Sequence, residues 1–214
     1  MIENYLKMIK FWSNQPQTTP RLLPLKFKQI PGIVLLLITI YLNANAQKKL
    51  NSVTLPAKLS YDKTELVLNG GGIRKKTFFK VYVVGLYLAS KNKNGPAICQ
   101  EDKPMALRLQ IISSLVNSNN LSHAIREGFD KSTGGKVATI KKKIDAFIHI
   151  FGKEKIMDGD IFDIWYIPGT GIQTSKNDKL QGTIEGLDFK KALFGIWLSD
   201  VSVDDDLKNG LLGL

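Results

Sequence analysis

The sequence predicts an α+β fold, an antiparallel sheet with helices lying against it. Three observations predict it. Thr77 to Leu88 (TFFKVYVVGLYL) is dominated by β-branched and aromatic residues and has no proline, and both of its alternating faces are largely apolar, so it reads as a central strand. Val137, Ile140, Ile144, Phe147, Ile148 and Phe151 fall on one stripe at helical spacing. The segments also come in runs (strands, a helical block, strands, helices), not in the strict alternation that builds a parallel sheet.

Taken in order, Leu55 to Leu68 alternates polar and apolar residues and reads as a strand entering a turn at Gly70-Gly71-Gly72. In the central strand that follows, Phe78, Lys80, Tyr82, Val84, Leu86 and Leu88 share one face under strict alternation, and Phe79, Val81, Val83, Gly85 and Tyr87 the other. Lys91 to Lys103 is a loop by composition. Pro104 to Ile112 is a strand with Met105, Leu107, Leu109 and Ile111 on one face. Asn119 and Asn120 offer N-caps for a helix through Leu121, Ile125 and Phe129, and Gly134-Gly135 separates it from the helix of 137–151. Lys141-Lys142-Lys143 lies between the apolar positions of that second helix and reads as its wet side.

Strands return with Ile161 to Ile167, a Pro168-Gly169-Thr170-Gly171 turn, Ile172 to Ser175, an Asn177-Asp178 turn and Leu180 to Ile184. Leu187 to Leu198 is helical by its stripe of Leu187, Ala192, Leu193, Ile196 and Trp197, and Asp204 caps a last short helix.

The first 46 residues are set apart from this domain. Ile33 to Leu42 is an uninterrupted apolar run, preceded by Lys26 and Lys28 and followed by small residues at Ala44 and Ala46. This pattern predicts a signal peptide removed after Ala46. The other reading, a membrane anchor, needs about 20 apolar residues, and the run is well short of that. The expected mature protein is therefore residues 47–214, exported to a periplasm or secreted, with no integral membrane span. Of the net charge of +11, residues 1–46 carry five cations against one acid, which leaves +7 for the remainder. An exported protein does not normally meet chromosomal DNA, so nucleic acid is not the expected partner. Basic proteins also adsorb to anionic lipid and polysaccharide surfaces, but solvated lysines with no partner are the expected account of the remaining charge. Cys99 is the sole cysteine, so the fold depends on its core rather than on an internal disulfide.

Several chemistries are disfavoured by spacing. His123 and His149 lie on different helices and one cysteine gives no zinc pattern, so no metal and no cofactor is expected. Asp158-Gly159-Asp160 lacks the later ligands of a calcium loop and is explained by turn chemistry. Gly70-Gly71-Gly72 leads into a strand, so no helix N-terminus is there to receive a phosphate. Arg74 and Tyr82 remain as candidate ligand-binding residues. An arginine beside the glycines and a tyrosine hydroxyl on the neighbouring strand can together hold a carboxylate or phenolate at one end of an apolar cleft.

The segments LNGGGIRKKTFFKVYVVGLYL (68–88), WYIPGTG (165–171), GLDFKKALFGIWLSD (186–200) and DLKNGLLG (206–213) together resemble the chalcone isomerase family, in particular its bacterial chalcone-isomerase-like branch. The resemblance spans essentially all of residues 47–214 and implies an open-faced β-sandwich, a large antiparallel sheet with helices packed on one face and a ligand cleft between them. In the plant enzymes of that family, an arginine after the glycines stabilises the phenolate that closes a chalcone to a flavanone, and Arg74 matches it. Tyr82 stands where those enzymes have a threonine, and Ile196 falls near the position of a second hydroxyl residue. Their central tyrosine and asparagine have no clear counterpart between Gly134 and Phe151.

An arginine paired with a tyrosine resembles the family's non-catalytic members, which grip a fatty-acid carboxylate. The resemblance therefore implies binding of a fatty acid or similar amphiphilic carboxylate by Arg74 and Tyr82. The alternative is an intramolecular lyase or isomerase in which the same two residues are catalytic. A third reading makes the domain a scaffold with a filled cleft, in which Arg74 pairs with an internal carboxylate such as Asp163.

Overall fold

A computed structural model describes residues 47–214, and the leader expected over 1–46 lies outside them. The core element is a seven-stranded antiparallel meander. A hairpin of β1 (Lys48–Leu50) and β2 (Val53–Leu55) precedes it. The sheet then runs in sequence order through β3 (Lys58–Tyr61), β4 (Thr64–Lys76), β5 (Phe79–Leu88), β6 (Met105–Ile111), β7 (Ile161–Ile167), β8 (Gly171–Lys176) and β9 (Lys179–Ile184). Among the described residues five α-helices accompany it: α1 (Gly95–Gln100), α2 (Ser118–Thr133), α3 (Lys141–Gly152), α4 (Leu187–Leu198) and α5 (Asp205–Leu212). The expected α+β class, with a large antiparallel sheet and helices on one face, is the fold observed.

Alternation sorts the strands onto two faces. Tyr82, Val84, Leu86 and Leu88 of β5 and Leu107, Leu109 and Ile111 of β6 pack with the helices in one buried cluster. Val83 and Tyr87 of β5, Ala106 and Trp165 fall in a second cluster with Val53 and Leu55 of the N-terminal hairpin. Phe129, Phe147 and Phe189 interlock α2, α3 and α4 at ring centroid distances of 5.3 to 6.3 Å.

The glycine run departs from the expectation. Gly70, Gly71 and Gly72 are not a turn: they lie inside β4, paired with Leu86, Gly85 and Val84 of β5, and none has a positive φ. What the site requires is the missing Cβ. A Cβ on Gly70 would sit 2.6 Å from the Leu211 carbonyl oxygen, and one on Gly72 would sit 2.7 Å from Leu207 Cδ1, both on α5. A Cβ on Gly71 would strike Leu55 Cδ1 of the N-terminal hairpin on the opposite face. The glycines thus let α5 lie directly on the strand backbone. Beside them, buried Asn69 donates to the carbonyls of Asn92 (2.9 Å) and Leu211 (2.8 Å), fastening the end of α5.

The real turn is the two residues Thr77 and Phe78, with Thr77 at φ 56°. Next to it the register shifts: Arg74 faces Tyr82 but Lys75 faces Lys80, so Val81 is a bulge residue. The bulge reverses the expected facing of the strand's start. Val81 packs against the helix-side cluster, while Lys80 reaches Asn51 of the N-terminal hairpin at 3.2 Å. Lys80 and Tyr82 do not share a face.

Two smaller corrections concern helices. The segment 91–103 contains α1, which Asn94 caps by accepting from Ala97 N at 3.0 Å. The helix before Gly134 is capped by Asn117 and not by the expected Asn119 or Asn120. Asn117 Oδ1 accepts from the backbone N–H groups of Asn119 and Asn120, and Asn120 Oδ1 in turn accepts from Asn117 N–H. Lys190 of α4 is fully buried and donates to the carbonyls of Ile98 (2.8 Å), Cys99 (2.9 Å) and Glu101 (2.6 Å), which ties the end of α1 to α4. Burial pulls its pKa down to about 8.

The glycine contact generates a test. Gly70→Ala places a methyl against backbone that cannot rotate away, and is expected to cost about 2–3 kcal/mol by urea denaturation. A Gly70→Ala protein as stable as the wild type would show that α5 does not need this contact.

Candidate functional site

Arg74 and Tyr82 are directly opposite each other on β4 and β5, so both side chains emerge on the helix side. They line a cavity of about 730 Å³ between the sheet and the helices. Its buried floor is apolar: Phe147 and Phe151 of α3, Ile164 of β7, Leu193 and Ile196 of α4. Its rim is mixed and exposed, with Lys76, Thr77 and Phe79 of the β4–β5 hairpin and Leu115 of the β6–α2 loop on one part. Glu127, Asp130 and Lys131 of α2 stand on another. The volume lies within the roughly 300–1,000 Å³ common to small-molecule sites. The cleft is open, not filled by side chains as the scaffold reading requires.

Tyr82 is held by an unexpected partner. Trp197 of α4 donates Nε1–H to the Tyr82 hydroxyl at 2.9 Å, and the pair is buried. Burial raises the Tyr82 pKa to about 12, against the lowering effects of the Trp197 hydrogen bond and the Arg74 charge. The phenol therefore stays protonated at neutral pH. Having accepted from Trp197, it still carries an O–H donor, which a carboxylate or oxyanion in the cleft can take.

Arg74 is also engaged. Its Nη1 donates to the Lys75 carbonyl at 2.8 Å and to Asp204 Oδ2 at 2.9 Å. Among the described residues, the Nε–Nη2 edge of the guanidinium makes no hydrogen bond, and that edge has the geometry for bidentate carboxylate binding. Asp204 has two roles. Oδ1 caps α5 by accepting from Leu207 N at 3.0 Å, while Oδ2 holds Arg74. The cap was legible in the sequence. The ion pair was not, because it depends on how closely α5 approaches β4.

Asp163, the example of an internal partner for Arg74 in the scaffold reading, belongs elsewhere. It is cross-strand neighbour to Arg108, which grips it bidentately with two bonds of 2.7 Å. Trp165 is likewise remote, packed at a tilt against Tyr61 on the other face of the sheet with ring centroids 5.6 Å apart. Ile196 does line the cleft, to which it presents only hydrocarbon.

The histidines His123 and His149 are exposed on α2 and α3, and no cluster suited to a metal ion occurs among the described residues. Asp160 of the suspected turn is committed to Met157 N, Asn177 Nδ2 and Lys176. Lys141 and Lys143 form exposed pairs with Asp145 and Asp188. Among the described residues no helix is long and apolar enough to cross a membrane.

Fold and site define an antiparallel sheet that closes an apolar cleft with its helices and sets a guanidinium and a phenol at one side of it. The family model for chalcone isomerase-like proteins matches residues 47–213, and the chain belongs to that family. Its fold is similar to the crystal structure of AtFAP1, a fatty-acid binding protein of Arabidopsis thaliana. The two share 16% sequence identity and a TM-score of 0.63, over 78% of this chain and 95% of that one. No curated protein matches the sequence.

The double role of Asp204 can be separated by substitution. Asp204→Asn keeps a capping oxygen and loses the ion pair, at an expected cost of about 1 kcal/mol or less. Asp204→Ala loses both, at about 2 kcal/mol. Equal costs in thermal or urea unfolding would deny the cap its share.

Proposed function

We propose that this protein binds a fatty acid or similar amphiphilic carboxylate in the cleft, with the acyl chain on the apolar floor and the headgroup at Arg74 and Tyr82. The observation that carries this reading is the polarity of the cavity. It is closed at depth by phenylalanine and aliphatic side chains, with a guanidinium edge and a phenol O–H as donors at one side. The fold shared with a fatty-acid binding protein supports it. A carboxylate meeting Arg74 also meets the negative charge of Asp204, so Asp204 moderates the grip.

Calorimetric titration with palmitate tests the assignment. Arg74→Gln is expected to lower affinity by about tenfold to a hundredfold, the worth of charge-assisted hydrogen bonds. Asp204→Asn is expected to raise affinity by about tenfold, because it removes a like charge a few ångströms from the headgroup. Methyl palmitate, without a charge, should respond to neither. Palmitate affinity indifferent to both substitutions would end the carboxylate assignment.

The Arg74–Asp204 pair favours one second reading, in which Arg74 only fastens α5 to β4. Arg74→Gln would then destabilise the protein and leave palmitate affinity unchanged.

We further propose that the chain is exported and cut after Ala46. The support is the basic, apolar and small-residue sequence of the leader, and the family match beginning at residue 47. Amino-terminal sequencing of the protein recovered from its host should begin at Gln47. A chain that retains Ile33 to Leu42 would contradict cleavage.

A further inference from the structure

The tip of the β4–β5 hairpin carries side chains that the fold does not use. Phe78 is 92% exposed and Phe79 is 59% exposed. Lys75, Lys76 and Lys80 flank them, all exposed, and none forms an ion pair among the described residues. Thr77, a β-branched residue, is held at φ 56°, a region such residues rarely occupy. Lys80 donates to Asn51, but Lys75 and Lys76 form no side-chain hydrogen bond among the described residues and the Phe78 ring is left outside the core. Leu115, 59% exposed, stands with Phe79 on the rim of the cleft, so the apolar patch is continuous with the cavity mouth.

Aromatic rings set among lysines suit an interface between hydrocarbon and anionic headgroups. The rings enter the acyl boundary, the ammonium groups stay at headgroup level, and the lysine stems lie along the apolar layer. We propose that the Thr77–Phe78 tip docks the protein on an anionic phospholipid surface, with the cleft mouth turned to the membrane so that an amphiphile passes between bilayer and cavity. Charge complementarity selects this occupant over a neutral surface. The Val81 bulge helps, because it turns Lys80 away from the cleft while Phe79 remains on the rim. Docking needs no ligand in the cavity; only the transfer step rests on the binding function proposed above.

A position-specific probe tests docking in the full chain. Phe78→Cys is labelled with an environment-sensitive nitrobenzoxadiazole. Cys99 is buried and its thiol pKa is pushed up to about 11, so it stays unlabelled. Vesicles of phosphatidylcholine with phosphatidylglycerol should make the label at 78 brighter and blue-shifted, with little effect from phosphatidylcholine alone.

Lys75→Gln with Lys76→Gln should weaken the vesicle partitioning reported by the label by about 25-fold, roughly fivefold per lysine. Lys91→Gln with Lys93→Gln, just beyond the far end of β5, should leave it unchanged, and a label at Lys91→Cys should stay silent. The leader is common to every variant, so differences among them belong to the hairpin. No response at 78, an equal response at 91, or indifference to Lys75 and Lys76 would overturn docking. So would a response that follows protein concentration without vesicles, since it would assign the tip to self-association. Palmitate affinity of the same variants without vesicles reports on the cleft separately.

Discussion

The contact on which the rest of the site depends is the approach of α5 to the backbone of β4. Gly70 and Gly72 leave that side of the strand bare, Leu207 and Leu211 settle onto it, and Asn69 closes the end by bonding the Leu211 carbonyl. This placement brings Asp204, at the head of α5, within 2.9 Å of Arg74. Without it the arginine would stand beside the cleft with its charge unopposed. The packing of one short helix thus sets the electrostatics of a cavity whose floor it does not build.

The remaining polar groups follow from strand register. Arg74 and Tyr82 meet because β4 and β5 pair them, and Arg108 and Asp163 meet by the same rule on β6 and β7. The second pair is bidentate and lies away from the cleft, so it is structural. The first has hydrogen-bonding capacity to spare, a phenol O–H and one guanidinium edge. That difference separates a candidate binding pair from an ordinary cross-strand salt bridge.

Much of the fold was legible because hydrophobic periodicity dictates it. The central strand, the helix stripe of 137–151, the β7–β9 meander and Leu187–Leu198 all follow from alternation or 3.6-residue spacing. The glycine run was misread as a turn because glycine has two uses that look the same in sequence, freedom of φ and absence of a Cβ. Only the neighbouring helix shows which applies. The Val81 bulge leaves no compositional mark, so Lys80 was put on the wrong face. Helix α1 was hidden by its short length and polar flanks, although Asn94-Gly95-Pro96 is a helix-start pattern. Arg74 and Tyr82 could be named from sequence, but Trp197 and Asp204 as their partners depend on packing between elements far apart in the chain.

The shared carboxylate of Asp204 has a thermodynamic corollary. One oxygen caps the C-terminal helix while the other neutralises the arginine, so an anion that competes for that arginine perturbs the start of the helix. Linkage makes the effect mutual: the free energy by which a bound anion shifts the seating of the helix equals that by which seating the helix shifts the anion's affinity. The last ten residues of the chain, remote from the cavity floor, are thereby coupled to its occupancy.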